Sequence, residues 1–199
     1  MPLEVDHVIV CVPDLTASVS AFESAHGLVS VDGGRHRGHG TANRLIPLGT
    51  SYIELVAVVD ADEANESAFG RFVAERSTRP GADAIAIRTD DLDAVCERLS
   101  LEPLSMSRKD SSGAELGWRI AGMEHLVSSG LPFFIEWDIE PDLHPGKVEV
   151  VHPRGEVRLG GVVVSGDRDR LRLWTAGTRG LVVEGGPVGA RFELDDGRL

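Results

Sequence analysis

The chain has 199 residues, of which 42% are hydrophobic, and its formal net charge is −12 at neutral pH. The acidic charge argues against nucleic acids and anionic membranes as partners, because no basic stripe is present to neutralise phosphates. The apolar stretches have the length of strands, as over residues 53–59, and are far shorter than the roughly 20 residues of a membrane helix.

The first predicted strand lies within HVIVCVPDL, residues 7–15. It ends at a polar turn in which Asp14 can cap a following helix, expected over residues 15–26. The last predicted strand of this part of the chain contains Tyr-Ile-Glu-Leu at 52–55, with one acid among apolar residues. Residues 1–60 are therefore predicted to form one βαβββ module. Its two middle strands are expected at about 28–31 and 43–48.

The same pattern begins again 77 positions later, with AIAIRTDDL at 84–92. A helix is expected over 92–99, and Phe-Ile-Glu-Trp at 134–137 stands where the first copy has Tyr-Ile-Glu-Leu. Residues 81–140 are therefore predicted to form a second βαβββ module, joined to the first by a linking helix within 61–80. Its middle strands are expected at about 103–106 and 115–121.

The remaining residues, 141–199, are predicted to form an extended, proline-containing connection and a partial third module. That module would consist of a strand near 161–164, a helix over 167–176 and two further strands. The expected fold class is therefore α+β, with paired βαβββ modules that form a cupped mixed sheet. The last two strands are expected at 181–184 and 190–194.

Three polar residues lie within the apolar strands: His7, Glu54 and Glu136. If the all-apolar face of each strand is covered by helices, alternation places all three on the opposite face. An ionised carboxylate in mid-strand is costly to desolvate without a partner, and one imidazole with two carboxylates suits a divalent cation. The alternative is that His7 is a core histidine and that each acid pairs with an arginine, such as Arg44 or Arg119.

The motifs DHVIVCVPDL and YIEL, repeated as AIAIRTDDL and FFIEW, resemble those of the vicinal oxygen chelate superfamily and its glyoxalase-like branch. The resemblance covers about residues 3–140 and implies a cup-shaped site formed by two modules. It also implies metal ligands from the first and last strand of each module, which assigns His7, Glu54 and Glu136 to a zinc, manganese, iron or nickel ion. The fourth ligand position falls on Ala84, which cannot bind metal. Three alternatives remain: a three-ligand site with open positions for water and substrate, a site that no longer holds metal, or a shell completed by a histidine from a loop. The candidates are His36, His39 and His144.

Two further features are candidates for substrate binding. The glycine-rich, basic segment GGRHRGHGTAN, residues 33–43, is interpreted either as a lid over an anionic substrate or as a hairpin connection. Its candidate contacts are Arg35, His36 and Asn43. Arg88, the counterpart of Cys11 on the second copy, either binds a substrate carboxylate or phosphate or forms an ion pair with Glu54 or Glu136.

The resulting functional hypothesis is a metal-dependent lyase or isomerase that acts on a small, oxygen-rich metabolite, in which Glu54 or Glu136 also serves as general base. The alternative is a non-catalytic protein that sequesters a small molecule or drug in the same cup without metal. A third hypothesis is a structural or regulatory protein in which the incomplete third module closes the cup or forms a homodimer. No secretion signal is recognisable at the N-terminus, and the two cysteines have no disulfide spacing, so a cytoplasmic location is expected.

Overall fold

The computed structural model describes residues 2–79, 81–109 and 115–195. Two βαβββ modules and a shorter βαββ unit follow one another along the chain, which confirms the predicted fold class. In chain order the elements are β1 (Glu4–Cys11), α1 (Leu15–His26), β2 (Val31–His36), β3 (Thr41–Pro47), β4 (Tyr52–Val58), α2 (Ala61–Glu66), α3 (Ala68–Arg76), β5 (Ala84–Arg88), α4 (Leu92–Leu99), β6 (Leu104–Lys109), β7 (Glu115–Ala121), α5 (Met123–Ser129), β8 (Phe133–Asp138), β9 (Arg158–Gly166), α6 (Arg168–Thr175), β10 (Leu181–Gly185) and β11 (Gly189–Asp195).

The first two modules share one eight-stranded sheet with the order β2-β3-β4-β1-β5-β8-β7-β6. Strand β1 runs parallel to β4 and antiparallel to β5, while β5 runs parallel to β8. The antiparallel seam pairs His7 with Ala86 and Ile9 with Ala84, so the two modules are related by an approximate twofold axis. The sheet curves into a cup whose edge strands are β2 and β6.

The helices begin where the sequence offers side-chain caps. Asp14 and Asp91 each accept a hydrogen bond from the amide three residues ahead, at 2.7 and 3.0 Å. Both caps satisfy an amide that the first helical turn leaves without a partner. Helix α1 ends at Gly27, whose φ of 64° lies in the left-handed region that glycine adopts without strain.

The C-terminal unit forms a second sheet with the order β10-β9-β11, and α6 crosses from β9 to β10. Its apolar residues Val164, Leu171 and Trp174 pack in one buried cluster with Ile87 and Phe134 on the outer face of the large sheet. Burial of this apolar area attaches the unit to the modules. The unit therefore covers the convex side of the sheet, opposite the cup.

Several local expectations differ from the structure. The linking segment forms two helices instead of one, because Ser67 ends α2 with an extended backbone and caps α3. Residues 33–43 belong mostly to the β2–β3 hairpin, and helix α5 was not predicted. Cys11 and Cys96 are buried free thiols. Among the described residues, no helix has the length and apolar character needed to cross a membrane.

Candidate functional site

The concave face of the large sheet encloses a cavity of about 530 Å³. The two modules line it differently. Most of the polar lining comes from the first module, including His7, His36, Asn43, Tyr52 and Glu54. The second module contributes a mainly apolar wall, formed by Leu104, Met106, Trp118, Ile120, Met123, Val127, Phe133, Ile135 and Trp137. The cavity therefore has one polar and one apolar side, and its size lies in the usual range for small-molecule sites.

Three buried ionisable side chains form a chain at the polar side: Asp6, His7 and Glu54. His7 Nδ1 lies 2.7 Å from Asp6 Oδ1, and His7 Nε2 lies 3.4 Å from Glu54 Oε2. The three residues are 0%, 3% and 7% exposed. Asp6 and His7 are neighbours in a strand, yet their side chains meet because the β1–β5 register shifts between Val5 and His7. Such a bulge turns a side chain away from strict alternation.

The charges of this chain stabilise one another. Burial alone would lower the pKa of His7, but the hydrogen bonds and negative charges of Asp6 and Glu54 outweigh it and raise the pKa to about 9. Burial alone would raise the pKa of Glu54, but the contacts with His7 lower it to about 2. Burial opposes ionisation of Asp6 too, and His144 and His7 hold its pKa well below the usual range. At neutral pH an imidazolium therefore lies between two carboxylates.

Asn43 and His36, two predicted substrate contacts, both lie in the cup beside Glu54. Asn43 Nδ2 donates to Glu54 Oε1 at 2.6 Å, and His36 Nε2 lies 3.5 Å from the same oxygen. Asn43 Oδ1 accepts a hydrogen bond from the Gly34 amide at 2.7 Å. A Cβ at Gly33 would lie 1.9 Å from that oxygen, so the glycine is required for this approach. Burial lowers the pKa of His36 and favours its neutral form.

Asp6 also contacts three residues outside the His7–Glu54 chain. Its Oδ2 atom is 3.0 Å from His144 Nε2, 3.2 Å from Trp137 Nε1 and 3.3 Å from Arg88 Nη1. Arg88 continues to Glu4 at 3.0 Å and to the carbonyl oxygen of Thr50 at 3.1 Å. Arg88, a predicted substrate contact, therefore lies outside the cup lining and forms ion pairs, although with Glu4 and Asp6 and not with the predicted acids.

Arg35 is also absent from the cup lining. The side chain of this predicted substrate contact is half exposed and binds Asp60 at 3.0 Å and Glu63 at 2.8 Å. The amide of Gly38 donates to Glu63 as well, at 2.5 Å. These contacts attach the β2–β3 hairpin to α2, because two carboxylates of the helix face the basic turn. The role supported by the structure is that of a hairpin anchor.

Glu136 lies on the opposite face of the sheet from His7 and Glu54, so its predicted convergence with them is wrong. Its Oε1 atom accepts from the Leu92 amide at the start of α4, at 3.1 Å, and Oε2 lies 3.1 Å from Arg119 Nη1. Phe133, Ile135 and Trp137, which alternate with it, face the cup instead. Glu136 therefore pairs with Arg119, as the alternative to metal binding predicts.

Strand register explains why the motif comparison misplaced Glu136. In the first module, Ile9 of β1 pairs with Glu54 of β4. In the second, Ala86 of β5 pairs with Phe133 of β8. Because Ala86 follows Ile9 by the repeat offset of 77, Phe133 is the counterpart of Glu54. Matching the two Ile-Glu motifs was wrong by three positions, and an odd shift moves a side chain to the other face.

The second module therefore contributes no metal ligand at either counterpart position, which Ala84 and Phe133 occupy. His39 and His144, considered above as loop ligands, bind Ser67 and Asp6 instead. Within residues 2–79, 81–109 and 115–195, no three histidine, cysteine or acidic side chains are arranged to hold a metal ion. The donor set does not fit the four-ligand centre that the resemblance implies.

Sequence reasoning missed two residues of the site, Asp6 and Arg108. Asp6 directly precedes His7, so strict alternation would place it on the opposite face, and the sequence does not reveal the bulge between Val5 and His7. Arg108 of β6 lines the cup and donates from Nη1 to the carbonyl oxygen of Gly33 in β2. Its position depends on the curvature that brings the two edge strands together, which one sequence does not reveal.

Comparisons with known proteins find a matching family model and similar solved structures. A family model described as a glyoxalase-like domain matches residues 5–178. A solved structure of a hypothetical protein from Staphylococcus aureus has a TM-score of 0.72 and 18% identity, covering 96% of this chain and 88% of that one. Methylmalonyl-CoA epimerase from Mycobacterium tuberculosis has a TM-score of 0.49 and 23% identity, covering 70% and 90%.

A search of curated proteins finds no match. The family model nevertheless spans most of the chain, from β1 through α6, and includes both modules that form the cup. The paired modules and the cupped sheet agree with that match. The chain belongs to the glyoxalase-like domain family, within the vicinal oxygen chelate superfamily.

Proposed function

We propose that the protein is an enzyme of lyase or isomerase type that moves a proton on a small molecule held in the cup. The observation that carries the proposal is the Asp6–His7–Glu54 chain at the polar side of the cavity. Burying three ionisable groups costs desolvation energy. Ionisable groups with strongly shifted pKa values in a cleft are characteristic of catalytic sites.

His7 would act as the acid and Glu54 as the base. The distance of 3.4 Å between His7 Nε2 and Glu54 Oε2 is longer than a strong charge-assisted hydrogen bond. A ligand oxygen can therefore replace Glu54 as the acceptor of the hydrogen bond from Nε2–H. This change of acceptor weakens the ion pair between His7 and Glu54 and moves the pKa of Glu54 back toward its usual range. Glu54 then accepts a proton from the carbon next to the bound carbonyl, and His7 stabilises the enolate oxygen. Return of the proton to the same carbon is exchange; where that carbon bears a hydroxyl group, the hydroxyl proton moves to the former carbonyl oxygen, and return of the carbon-bound proton to the former carbonyl carbon completes an isomerisation.

A metal ion is not part of this proposal, because the second module contributes no ligand at Ala84 or Phe133. Ala84 and Phe133 also favour a second candidate function, that of a protein that binds a small molecule without converting it. An apolar wall contributes binding energy but offers no group that acts on a bond. The two candidates differ in one measurable property, the exchange of carbon-bound protons.

The test is hydrogen–deuterium exchange in deuterium oxide, followed by proton NMR, with phenylpyruvate, phenylacetone and pyruvate as probes. We expect the native protein to exchange the protons next to the carbonyl of at least one probe. Glu54→Gln should slow this exchange about 100-fold or more, because a general base contributes about that factor. Glu66→Gln is the matched control, since Glu66 lines the same cavity but is exposed.

The control variant should keep the native exchange rate. If the native protein exchanges no probe faster than Glu54→Gln does, the enzymatic proposal is overturned and the sequestering protein becomes the better description. Equal losses in Glu66→Gln and Glu54→Gln would also overturn it, because the effect would then reflect the charge of the cavity and not the base.

A further inference from the structure

Arg108 brings a positive charge to the mouth of the cup. It lies on β6, and its guanidinium reaches the carbonyl oxygen of Gly33 on β2. These two strands are the opposite edges of the eight-stranded sheet. The side chain therefore spans the gap at which the sheet does not close, directly above the cavity.

The charge of Arg108 has no carboxylate within ion-pair distance among the described residues, in contrast to Arg35 and Arg88. Arg35 binds Asp60 and Glu63, and Arg88 binds Glu4 and Asp6. Arg108 is half-buried, and its bond to a neutral carbonyl leaves most of its donors available. A half-buried guanidinium gains most from an anionic partner.

The acids around the cavity do not supply that partner. Glu54 is bound by His7 and Asn43 in the interior. Glu66 and Glu124 line the cavity but are exposed, where solvent weakens their effect on a bound anion. Among residues 2–79, 81–109 and 115–195, no acid supplies the counter-charge of Arg108, and an anionic ligand in the cavity can.

The apolar wall defines the rest of the ligand. Aromatic and methionine side chains face the cavity from β6, β7 and β8, including Met106, Trp118, Phe133 and Trp137. Methionine and aromatic side chains adapt to flat apolar bodies and offer ring contacts. A small polar metabolite would leave this surface without contacts, whereas an aromatic or branched body would cover it.

We propose that the cup binds an organic carboxylate with an aromatic or branched apolar body, its carboxylate on Arg108 and its body against the wall of the second module. This inference deepens the proposed function, since it concerns the same cavity, and it rests on that function for the position of the reacting carbon. It concerns binding, however, and can be tested with ligands that have no exchangeable position next to a ketone.

The test is a titration followed by tryptophan fluorescence, because Trp118 and Trp137 line the cavity while Trp174 is buried elsewhere. The probes are phenylpropionate, its neutral isostere phenylpropionamide, and propionate, which lacks the ring. We expect phenylpropionate to bind at least about tenfold more tightly than either of the other two. A charge-assisted hydrogen bond and the buried ring each account for a factor of this order.

Arg108→Gln should remove the preference for the carboxylate over the amide, while Arg108→Lys should keep part of it. Arg37→Gln is the matched control, because Arg37 is an exposed arginine in the β2–β3 turn outside the cavity lining. Equal affinities for phenylpropionate and phenylpropionamide in the native protein would overturn the inference. Equal losses in Arg37→Gln and Arg108→Gln would overturn it too.

Glu54→Gln separates this inference from the proposed function. The variant should still bind phenylpropionate, since Arg108 and the apolar wall are intact, although it should not catalyse proton exchange. Binding without exchange in the native protein would leave the ligand class standing and remove the enzymatic function. Exchange with phenylacetone that Arg108→Gln does not alter, together with equal binding of acid and amide, would leave the function and remove the ligand class.

Discussion

Asp6 is fully buried and ionised, which is possible only because donors surround its carboxylate. His7 binds one oxygen, and His144, Trp137 and Arg88 lie at the other. Hydrogen bonds to the charged form lower the pKa of a carboxyl group, and a buried charge without such partners would be neutralised. Asp6 fixes the ring of His7 with Nδ1 toward the protein and Nε2 toward Glu54. It is therefore a positioning residue.

Asp6→Asn tests this role. The amide keeps the shape of the side chain but removes its charge, so we expect the pKa of His7 to fall below about 9 and the free energy of unfolding to fall by about 3 kcal/mol. Histidine NMR titration and urea denaturation measure the two effects. The control is Asp93→Asn, whose side chain is 76% exposed and pairs with Arg119, and which should cost less than about 1 kcal/mol. An unchanged titration midpoint for His7 would refute the positioning role.

The same residues predict a pH dependence of stability. The pKa of His7 is raised from 6.5 to about 9, so its contribution is fully present below pH 6.5 and is lost as the pH rises through 9. The pKa of Glu54 is lowered from 4.5 to about 2, so its contribution is present above pH 4.5 and is lost as the pH falls through 2.

We therefore expect the free energy of unfolding to fall by up to about 3 kcal/mol as the pH rises from 6.5 to 9. Urea midpoints measured across this range check the prediction. In His7→Gln the alkaline decline should be absent, because the titrating group is gone. A native midpoint that is equal at the two ends of the range would show that His7 is not stabilised in its charged form.

At the scale of elements, the sequence predicted which segments are strands and helices more reliably than it predicted their faces. Strand β7 and helix α1 were expected at their observed bounds, because alternation and capping are local signals. The face of β8 was not recovered, because an acid among apolar residues occurs on both faces of a strand. Only pairing with β5 decides between them, and pairing is a tertiary property.

Some residues of the candidate site could likewise be predicted from the sequence and others could not. His7, Glu54, His36 and Asn43 were predicted to face one site, and they lie in the cup because the four adjacent strands of one module carry them. Asp6 was missed because a bulge reverses its direction. Arg35 and Arg88 were predicted to bind substrate because the sequence does not show which acids lie near an arginine in the folded protein. Their partners Glu63 and Glu4 lie 28 and 84 residues away in the chain.

At the scale of the whole molecule, the two modules share a backbone plan but differ in chemistry. The first contributes His7 and Glu54, and the second has apolar residues, Ala84 and Phe133, at the counterpart positions. The approximate twofold axis brings the two sets face to face across one cavity. The site thus has a polar side and an apolar side, which a symmetric pair of modules would lack.

The third unit is part of the same cooperative structure, because its core is continuous with that of the modules. Trp174 of α6 packs on Phe134 and donates from Nε1 to the carbonyl oxygen of Pro132 at 2.7 Å. We expect Trp174→Ala to lower the free energy of unfolding by about 3–5 kcal/mol, through a cavity and a lost hydrogen bond. Leu173→Ala is the matched control, because the side chain of Leu173, the residue before Trp174, is 75% exposed. This variant should change the free energy of unfolding by less than about 0.5 kcal/mol.

Urea denaturation followed by far-ultraviolet circular dichroism and by the fluorescence of the cup tryptophans measures both effects. If the unit and the modules unfold together, the two signals give one coincident transition in the native protein and in Trp174→Ala. Two separate transitions in the native protein, or a Trp174→Ala variant whose cup fluorescence unfolds at the native midpoint, would mean that the third unit is an independent domain. Coincidence is expected because the apolar outer faces of β5 and β8 lie in one buried cluster with residues of the C-terminal unit.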